Sequence, residues 1–205
     1  MKNFHVLQRF IPGGASEEIE KLLNAHPVNI RITKSRQSKL GDFRPQPHDK
    51  YHAITINYDL NPYAFLITLV HEIAHLTTWK DFQNKVDPHG MEWKFQFKFL
   101  MDPFFKLNVF PEEVAFALKS YMNNPAASSC SSPSLTKALK KHDKDAHHYT
   151  FLDELPTHAI FKLKNQQQFV FKKGEKARTR FKCLEIKSNR EYWVTAHAEV
   201  IPINE

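Results

Sequence analysis

The sequence has few cysteines, few glycines and no long apolar run. Its two cysteines, Cys130 and Cys183, lie far apart in a chain of 205 residues, which argues against a disulfide framework and favours a reducing cytoplasm. No run approaches the roughly 18 apolar residues of a transmembrane helix, so we expect no membrane association. The N-terminal segment lacks the apolar centre of a secretory signal, which also indicates a cytoplasmic protein.

The composition is otherwise that of an ordinary soluble protein, with 41% hydrophobic and 25% charged residues. The excess of positive charge, however, has one location. Residues 162–191 contain ten basic and three acidic side chains, and their net charge of +7 equals that of the whole chain. The other residues sum to zero, so any electrostatic attraction to a polyanion belongs to this segment.

The most informative motif is His-Glu-Ile-Ala-His at residues 71–75. It lies in an apolar stretch that we predict to be a buried helix over residues 62–80, with Asn61 as the N-cap and Pro62 as the first helical residue. At about 100° per residue, both histidines leave the same face one turn apart and can hold one Zn²⁺ through neutral imidazole nitrogens. The pattern also arises by chance, but buried histidines beside a buried glutamate are costly unless they are paired or bind a metal.

A catalytic zinc site needs three protein ligands and one open position. With His71 and His75 as the first two ligands, His89 is the candidate third ligand and Glu92 is its rival. Glu72 lies between the motif histidines, where it can reach a zinc-bound water without being a ligand. This set predicts amide hydrolysis in which Glu72 takes the proton of the attacking water and delivers it to the leaving amine.

The order of predicted elements indicates an α+β chain, with helices and a small three-stranded sheet followed by a small antiparallel β module. Helices are expected at residues 16–24 (with Ser16 as N-cap), 62–80, 89–101, 111–122 and 134–141. Strands are expected at residues 28–33, 40–44, 51–57, 160–164, 169–172, 178–186 and 192–195. The predicted segments are a domain at 1–123, a linker with a short helix at 124–156, and a basic β-rich module at 157–205.

Several of these motifs, taken in order, resemble the SprT-like zinc metallopeptidases. The resemblance covers roughly residues 12–105 and is specific because the elements occur in sequence. They are Lys-Leu-Gly-Asp-Phe-Arg at 39–44, Ile-Thr-Ile-Asn at 54–57, Asn-Pro at 61–62, the histidine motif at 71–75, and Val-Asp-Pro-His-Gly-Met-Glu-Trp at 86–93.

The resemblance implies a zincin-like core in which His71, His75 and His89 bind one zinc ion and Glu72 is the catalytic base. It also implies a strand hairpin with a basic, Leu-Gly-containing turn ahead of the helix. Protein substrates are implied as well, and in the eukaryotic members these are proteins crosslinked to DNA.

The chain departs from the family at its C-terminal end, where many members carry a four-cysteine zinc ribbon. Cys130 and Cys183 cannot supply one, so we expect a sheet held by apolar packing. A mixed site that joins Cys183 to His197 or His158 is the alternative to Cys183 as a small buried hydrophobe.

The basic module suggests a second function. Its basic and aromatic side chains alternate on predicted strands, as in sheets that follow a phosphate backbone and stack bases. The alternative is that the aromatic residues form the core of the sheet and the lysines form its solvated face. The candidate DNA contacts are Lys172, Lys173, Lys176, Arg178, Arg180 and Lys182.

Two classes of function therefore compete. The first is a zinc protease for protein substrates, recruited to DNA by the basic module. The second is a non-catalytic DNA-binding or adaptor protein that holds zinc for structure. Glu72 favours the protease, because a structural zinc site has no use for an acid there and closes its fourth position.

Overall fold

Helices dominate residues 1–142 and strands dominate residues 143–205, and these two stretches form separate units. The structure, a computed structural model, describes residues 4–36, 38–48, 51–127 and 132–203. Within this part the chain is α+β, with a three-stranded sheet in the first unit and a six-stranded antiparallel sheet in the second. The predicted α+β class is therefore confirmed. None of the helices in these ranges combines the length and apolarity needed to cross a membrane.

The α-helices of the described residues all lie in the first unit. Their bounds are α1 Phe4–Leu7, α2 Ser16–Ala25, α3 Pro62–Phe82, α4 Met91–Lys106, α5 Glu112–Met122 and α6 Pro133–Lys140. All but α1 were predicted, and α4 ends five residues beyond its predicted end at residue 101. Ser16 is the first residue inside α2 and makes no cap hydrogen bond, so the prediction that it is the N-cap is wrong.

Helix α3 starts where the sequence predicts. The Asn61 side chain accepts a hydrogen bond from the Ala64 N–H at 3.0 Å, and Pro62 occupies the first turn, where its missing N–H costs nothing. The Asn61 side-chain amide also donates to the Leu139 carbonyl at 2.8 Å. Helix α6, inside the predicted linker, is thereby joined to α3, and its buried Leu135 belongs to the core of the first unit.

The first sheet consists of β1 Val28–Thr33, β2 Gly41–Arg44 and β3 His52–Asn57, in the order β1-β3-β2. Strand β3 pairs in parallel with β1 and antiparallel with β2, so the implied hairpin of β1 with β2 is wrong.

The connection from β1 to β2 passes across the end of β3 and is held there by Asn57. The buried Asn57 side chain accepts from Arg36 Nε at 2.8 Å and donates to the Lys39 carbonyl at 3.0 Å. This clamp replaces a tight turn and leaves β2 at the edge of the sheet.

The core of the first unit forms around α3, which is buried on nearly every side. Its Phe65, Leu66 and Leu69 have no exposed surface. Helix α4 contributes Trp93 and Phe97, which are also fully buried. A helix so enclosed holds its polar side chains in fixed positions, which is what a metal site requires.

The second unit is an antiparallel sheet in the order β4-β9-β5-β6-β7-β8. Its strands are β4 Thr150–Phe151, β5 Ile160–Leu163, β6 Gln166–Ala177, β7 Arg180–Glu185, β8 Arg190–Thr195 and β9 Glu199–Pro202. The sequence missed β4 and β9 and made β6 too short. The core of this unit is apolar and includes Phe161, Phe171 and the buried Cys183.

Candidate metal centre

Three imidazoles meet at one point of the first unit. Helix α3 presents His71 and His75 one turn apart, and the turn before α4 brings His89 to them. The Nε2 atoms lie 3.2 Å apart for His75 and His71, 3.0 Å for His75 and His89, and 3.4 Å for His89 and His71. Within the described ranges, these three histidines are the one group of histidine, cysteine or carboxylate side chains whose ligand atoms are close enough to hold a metal ion.

The spacing of these nitrogens fits a metal ion. Two nitrogens bound at ~2.05 Å to a tetrahedral centre are about 3.3 Å apart. The three observed distances are close to that value, so the Nε2 atoms of His71, His75 and His89 can occupy three corners of a tetrahedron and leave the fourth open. Glu92, the rival ligand, does not belong to the group.

His89 precedes α4 rather than starting it, contrary to the predicted helix start at this residue. The N–H of Gly90 donates to the Asp87 carbonyl at 3.0 Å, and this turn places His89 over α3. Gly90 is the N-cap of α4 with an extended backbone, φ −70° and ψ −169°. A Cβ on Gly90 would lie 3.2 Å from the Asp87 carbonyl oxygen, so the small residue permits the tight turn.

Trp93 forms the floor of the histidine group. Its ring centroid is 4.6 Å from that of His71, 5.3 Å from His75 and 4.7 Å from His89, and its side chain is fully buried. Its indole N–H points to the His71 carbonyl at 3.4 Å. Trp93 is thus a core residue, as predicted, and it limits the movement of all three imidazoles. Trp79, also predicted to be core, is half-buried and borders the cavity.

Burial keeps the histidines neutral, which is the form that binds a metal. Burial, with the neighbouring His75 and His89, lowers the pKa of His71 to about 2. Burial and the neighbouring His89 lower the pKa of His75 to about 3. Burial and Lys94 also lower the pKa of His89.

Glu72 is buried beside the histidines and contacts the edge strand β2. Burial and the nearby Asp42 carboxylate raise the pKa of Glu72 to about 8, while a hydrogen bond from the Phe43 backbone N–H opposes that shift. Although burial acts to raise it, hydrogen bonds from Lys39 and Arg44 leave the pKa of Asp42 below its usual range.

Gly41 and Phe43 are the site residues that reasoning on side-chain motifs missed, because both act through the backbone. A Cβ on Gly41 would lie 2.5 Å from Glu72 Oε1 and 2.7 Å from Thr68 Cγ2. Glycine is therefore what lets β2 approach the helix closely enough for Phe43 to reach Glu72. The sequence marked Gly41 through the Leu-Gly pair at the start of β2, but it did not place this glycine against Glu72.

A cavity of about 360 Å³ opens beside the histidines and Glu72. Strand β2 forms one wall through Gly41 and Phe43, and the segment after α3 forms another through Gln83 and Asn84. The candidate base, the three imidazoles and the edge of a sheet thus share one accessible space.

The cysteine sites suggested by the sequence do not form among the described residues. Cys183 is buried, and its Sγ donates weakly to the Phe181 carbonyl at 3.7 Å. Neither His158 nor His197 joins it in a metal-binding group within these ranges. Cys130 lies outside the described residues.

The candidate DNA contacts fall into two groups. Lys173 is buried, its ammonium donates to the Leu155 carbonyl, and it lies 4.1 Å from the ring centroid of Phe181. Its inclusion as a phosphate contact was wrong, because period two puts it on the same face as the buried Phe171. The other candidates are exposed: Lys172, Lys176, Arg178, Arg180 and Lys182.

The metal-binding geometry on a buried helix, with a carboxyl group between two of the histidines, is that of a metallopeptidase-like domain. The sequence model of the SprT-like family matches residues 13–113, and the chain belongs to this family. Searches against curated proteins and against solved structures gave no match.

Proposed function

We propose that the chain is a zinc-dependent metallopeptidase of zincin-like architecture that hydrolyses peptide bonds in protein substrates. One observation carries the proposal: three Nε2 atoms converge at 3.0–3.4 Å in the cavity that also holds Glu72. Neutral imidazoles beside a buried carboxyl group can bind a metal ion and activate a water molecule at its open position. Without a metal, burying these polar groups would cost free energy of folding.

Zinc is the ion that this donor set suits best. His71, His75 and His89 offer three nitrogen ligands, and a catalytic zinc takes three protein ligands plus one open position. When bound, zinc supplies Lewis acidity toward a carbonyl oxygen and makes a water molecule nucleophilic at neutral pH.

Glu72 is the residue that moves the proton. It accepts a proton from the attacking water and passes it to the nitrogen of the leaving amine, so that the amine departs neutral. Its burial favours proton uptake, and the hydrogen bond from the Phe43 N–H fixes the position of its carboxyl group. A base held in place by a backbone group loses little entropy when it acts.

Strand β2 is the element that would hold the substrate. It is an edge strand, it borders the cavity, and the N–H of its Phe43 points away from β3 toward Glu72. An extended peptide that pairs with this edge would pass Glu72 and the histidines, since an exposed strand edge accepts main-chain hydrogen bonds from a peptide.

Binding of DNA by the second unit is a separate proposal, and one observation favours it. On β7 and β8 the exposed Lys182 lies in register with Trp193, a residue that is 54% exposed, and Arg180 lies next to them on the same face. An exposed indole among cations can stack on a base while the cations contact phosphates. Lys182 also pairs with Glu191 at 2.9 Å, which a phosphate would displace.

The test of the peptidase is hydrolysis of a denatured protein by the zinc-loaded chain and by its Glu72→Gln variant at equal zinc content. The proposal expects activity in the first and a loss of at least about 10²-fold in the second, because a general base contributes that much. An inactive wild-type chain, with and without DNA, would favour the non-catalytic adaptor.

The test of DNA binding is the salt dependence of affinity for the full chain and for residues 1–142. Counterion release predicts an affinity that falls steeply between 50 and 200 mM salt, on the order of 10³-fold for a protein that contacts several phosphates. Loss of that affinity in the truncated chain supports the second unit as the binding surface. Equal affinity in both would refute it.

A further inference from the structure

Helix α3 ends in a turn that a glycine would fit better than the residue found there. Gln83 follows the helix with φ 53° and ψ −129°. The Lys85 N–H donates to the Phe82 carbonyl at 3.1 Å and closes a four-residue turn around it. Positive φ with strongly negative ψ at the second position defines a type II′ turn, for which glycine is preferred.

The side chain of Gln83 therefore comes with backbone strain. Among the residues in the described ranges that have positive φ and are not glycine, the others are Asn108, His158, Arg178 and Asn189, and Gln83 is the one that borders the cavity. Asparagine tolerates this region because its short side chain can bond locally, whereas glutamine has no such advantage. Strained non-glycine residues persist where the surrounding structure fixes them, and they cluster at active sites and ligand clamps.

Gln83 borders the cavity that contains His71, Glu72 and His75. Within the described part of the chain, its side-chain amide makes no hydrogen bond. A carboxamide offers both donors and an acceptor, which are the groups that a peptide backbone needs. Strand β2 forms another wall of the same cavity, so a peptide paired with β2 would run past Gln83.

We propose that Gln83 is a substrate-positioning residue whose carboxamide hydrogen-bonds the backbone of a polypeptide in the cavity. The inference rests on the proposed peptidase function and names a second polypeptide contact beside β2. Glycine would remove the backbone strain at this position, but it has no side chain and could not make this contact.

The experiment measures polypeptide binding without catalysis. A fluorescently labelled unstructured polypeptide is titrated into the zinc-loaded Glu72→Gln chain, alone and with Gln83→Gly, Gln83→Ala or Asn108→Gly added. Loss of one neutral hydrogen bond predicts a Kd about 3- to 10-fold higher for both Gln83 variants. Asn108→Gly, a matched positive-φ position, leaves the Kd unchanged.

Thermal unfolding separates this role from a structural one. Gln83→Gly relieves the turn and is expected to melt above Gln83→Ala, although both bind the polypeptide equally weakly. A Kd unaffected by Gln83→Gly, or one that follows melting temperature across the variants, would overturn the proposal.

The outcome for Gln83 is distinct from the outcome for the peptidase. Polypeptide binding that depends on Gln83, in a chain whose wild type hydrolyses nothing, would refute catalysis and keep the contact. Hydrolysis by the wild-type chain, with a Kd and a KM that do not change when Gln83 is substituted, would support catalysis and refute the contact.

Discussion

Replacing Gly41 by alanine should disable Glu72 while leaving the histidine group intact. The added Cβ would lie 2.5 Å from Glu72 Oε1 and 2.9 Å from its Cγ, whereas ordinary contact begins at 3.4 Å, so the carboxyl oxygen has to move by about 0.9 Å. A displacement of ~1 Å in a catalytic group costs on the order of 10²-fold in rate. The overpacking should also lower the free energy of unfolding by about 1–3 kcal/mol.

The assay compares kcat and KM for a denatured protein, with zinc content measured on the same samples. Gly13→Ala is the matched control, because a Cβ at Gly13 meets nothing within 4 Å. We expect Gly41→Ala to lower kcat about 10²-fold with zinc content unchanged, and Gly13→Ala to leave kcat unchanged. Wild-type kcat in a folded, zinc-loaded Gly41→Ala chain would refute the reasoning that β2 positions Glu72.

Two further predictions concern stability. In the metal-free protein, the contribution of His71, His75 and Glu72 to the free energy of unfolding should peak near pH 6.5. Below that pH the histidines of the unfolded chain (pKa near 6.5) take up protons, whereas His71 and His75 of the folded chain, with pKa lowered to about 2 and 3, stay neutral. Above it the unfolded Glu72 has ionised, while the folded carboxyl, with its pKa raised to about 8, stays protonated. These three groups give a net slope of about 1.4 kcal/mol per pH unit between about pH 4.5 and 6.5 and again between about pH 6.5 and 8, and the lowered pKa of His89 steepens the acid side. Urea titration measures both sides, and Glu72→Gln should remove the alkaline fall. Lys173→Ala should lower the free energy of unfolding by about 1–3 kcal/mol, since it leaves the Leu155 carbonyl unpaired, while the exposed Lys172→Ala changes it by less than about 0.5 kcal/mol. Equal effects of the two lysine substitutions would contradict the buried contact.

The sequence was sufficient for the helix that carries the site. Asn61 and Pro62 marked its start, and the fixed spacing of His71 and His75 determined their shared face, because both signals are local. His89 could also be found as a candidate, since a catalytic zinc site needs a third protein ligand. Its placement in a turn ahead of α4 could not be predicted, because that turn depends on the hydrogen bond from the Gly90 N–H to the Asp87 carbonyl.

Local sequence patterns could not predict which strands pair with each other. The order β1-β3-β2 results from Asn57 binding the connection between β1 and β2, a contact between residues about twenty positions apart. For the same reason the closeness of Gly41 to Glu72 was invisible in the sequence. Lys173 was a different kind of error, because the alternation of β6 already placed it with Phe171 on the core face.

The central claim is that three histidines form one metal centre, and a zinc competition titration tests it most directly. The wild-type chain should bind one zinc ion, and His89→Ala should weaken that binding by more than about 100-fold, since even outer contacts of a metal ligand are worth 10- to 100-fold. Glu92→Ala, three residues away and outside the group, should bind like the wild type. Equal zinc affinity in the wild-type and His89→Ala chains would contradict the claim.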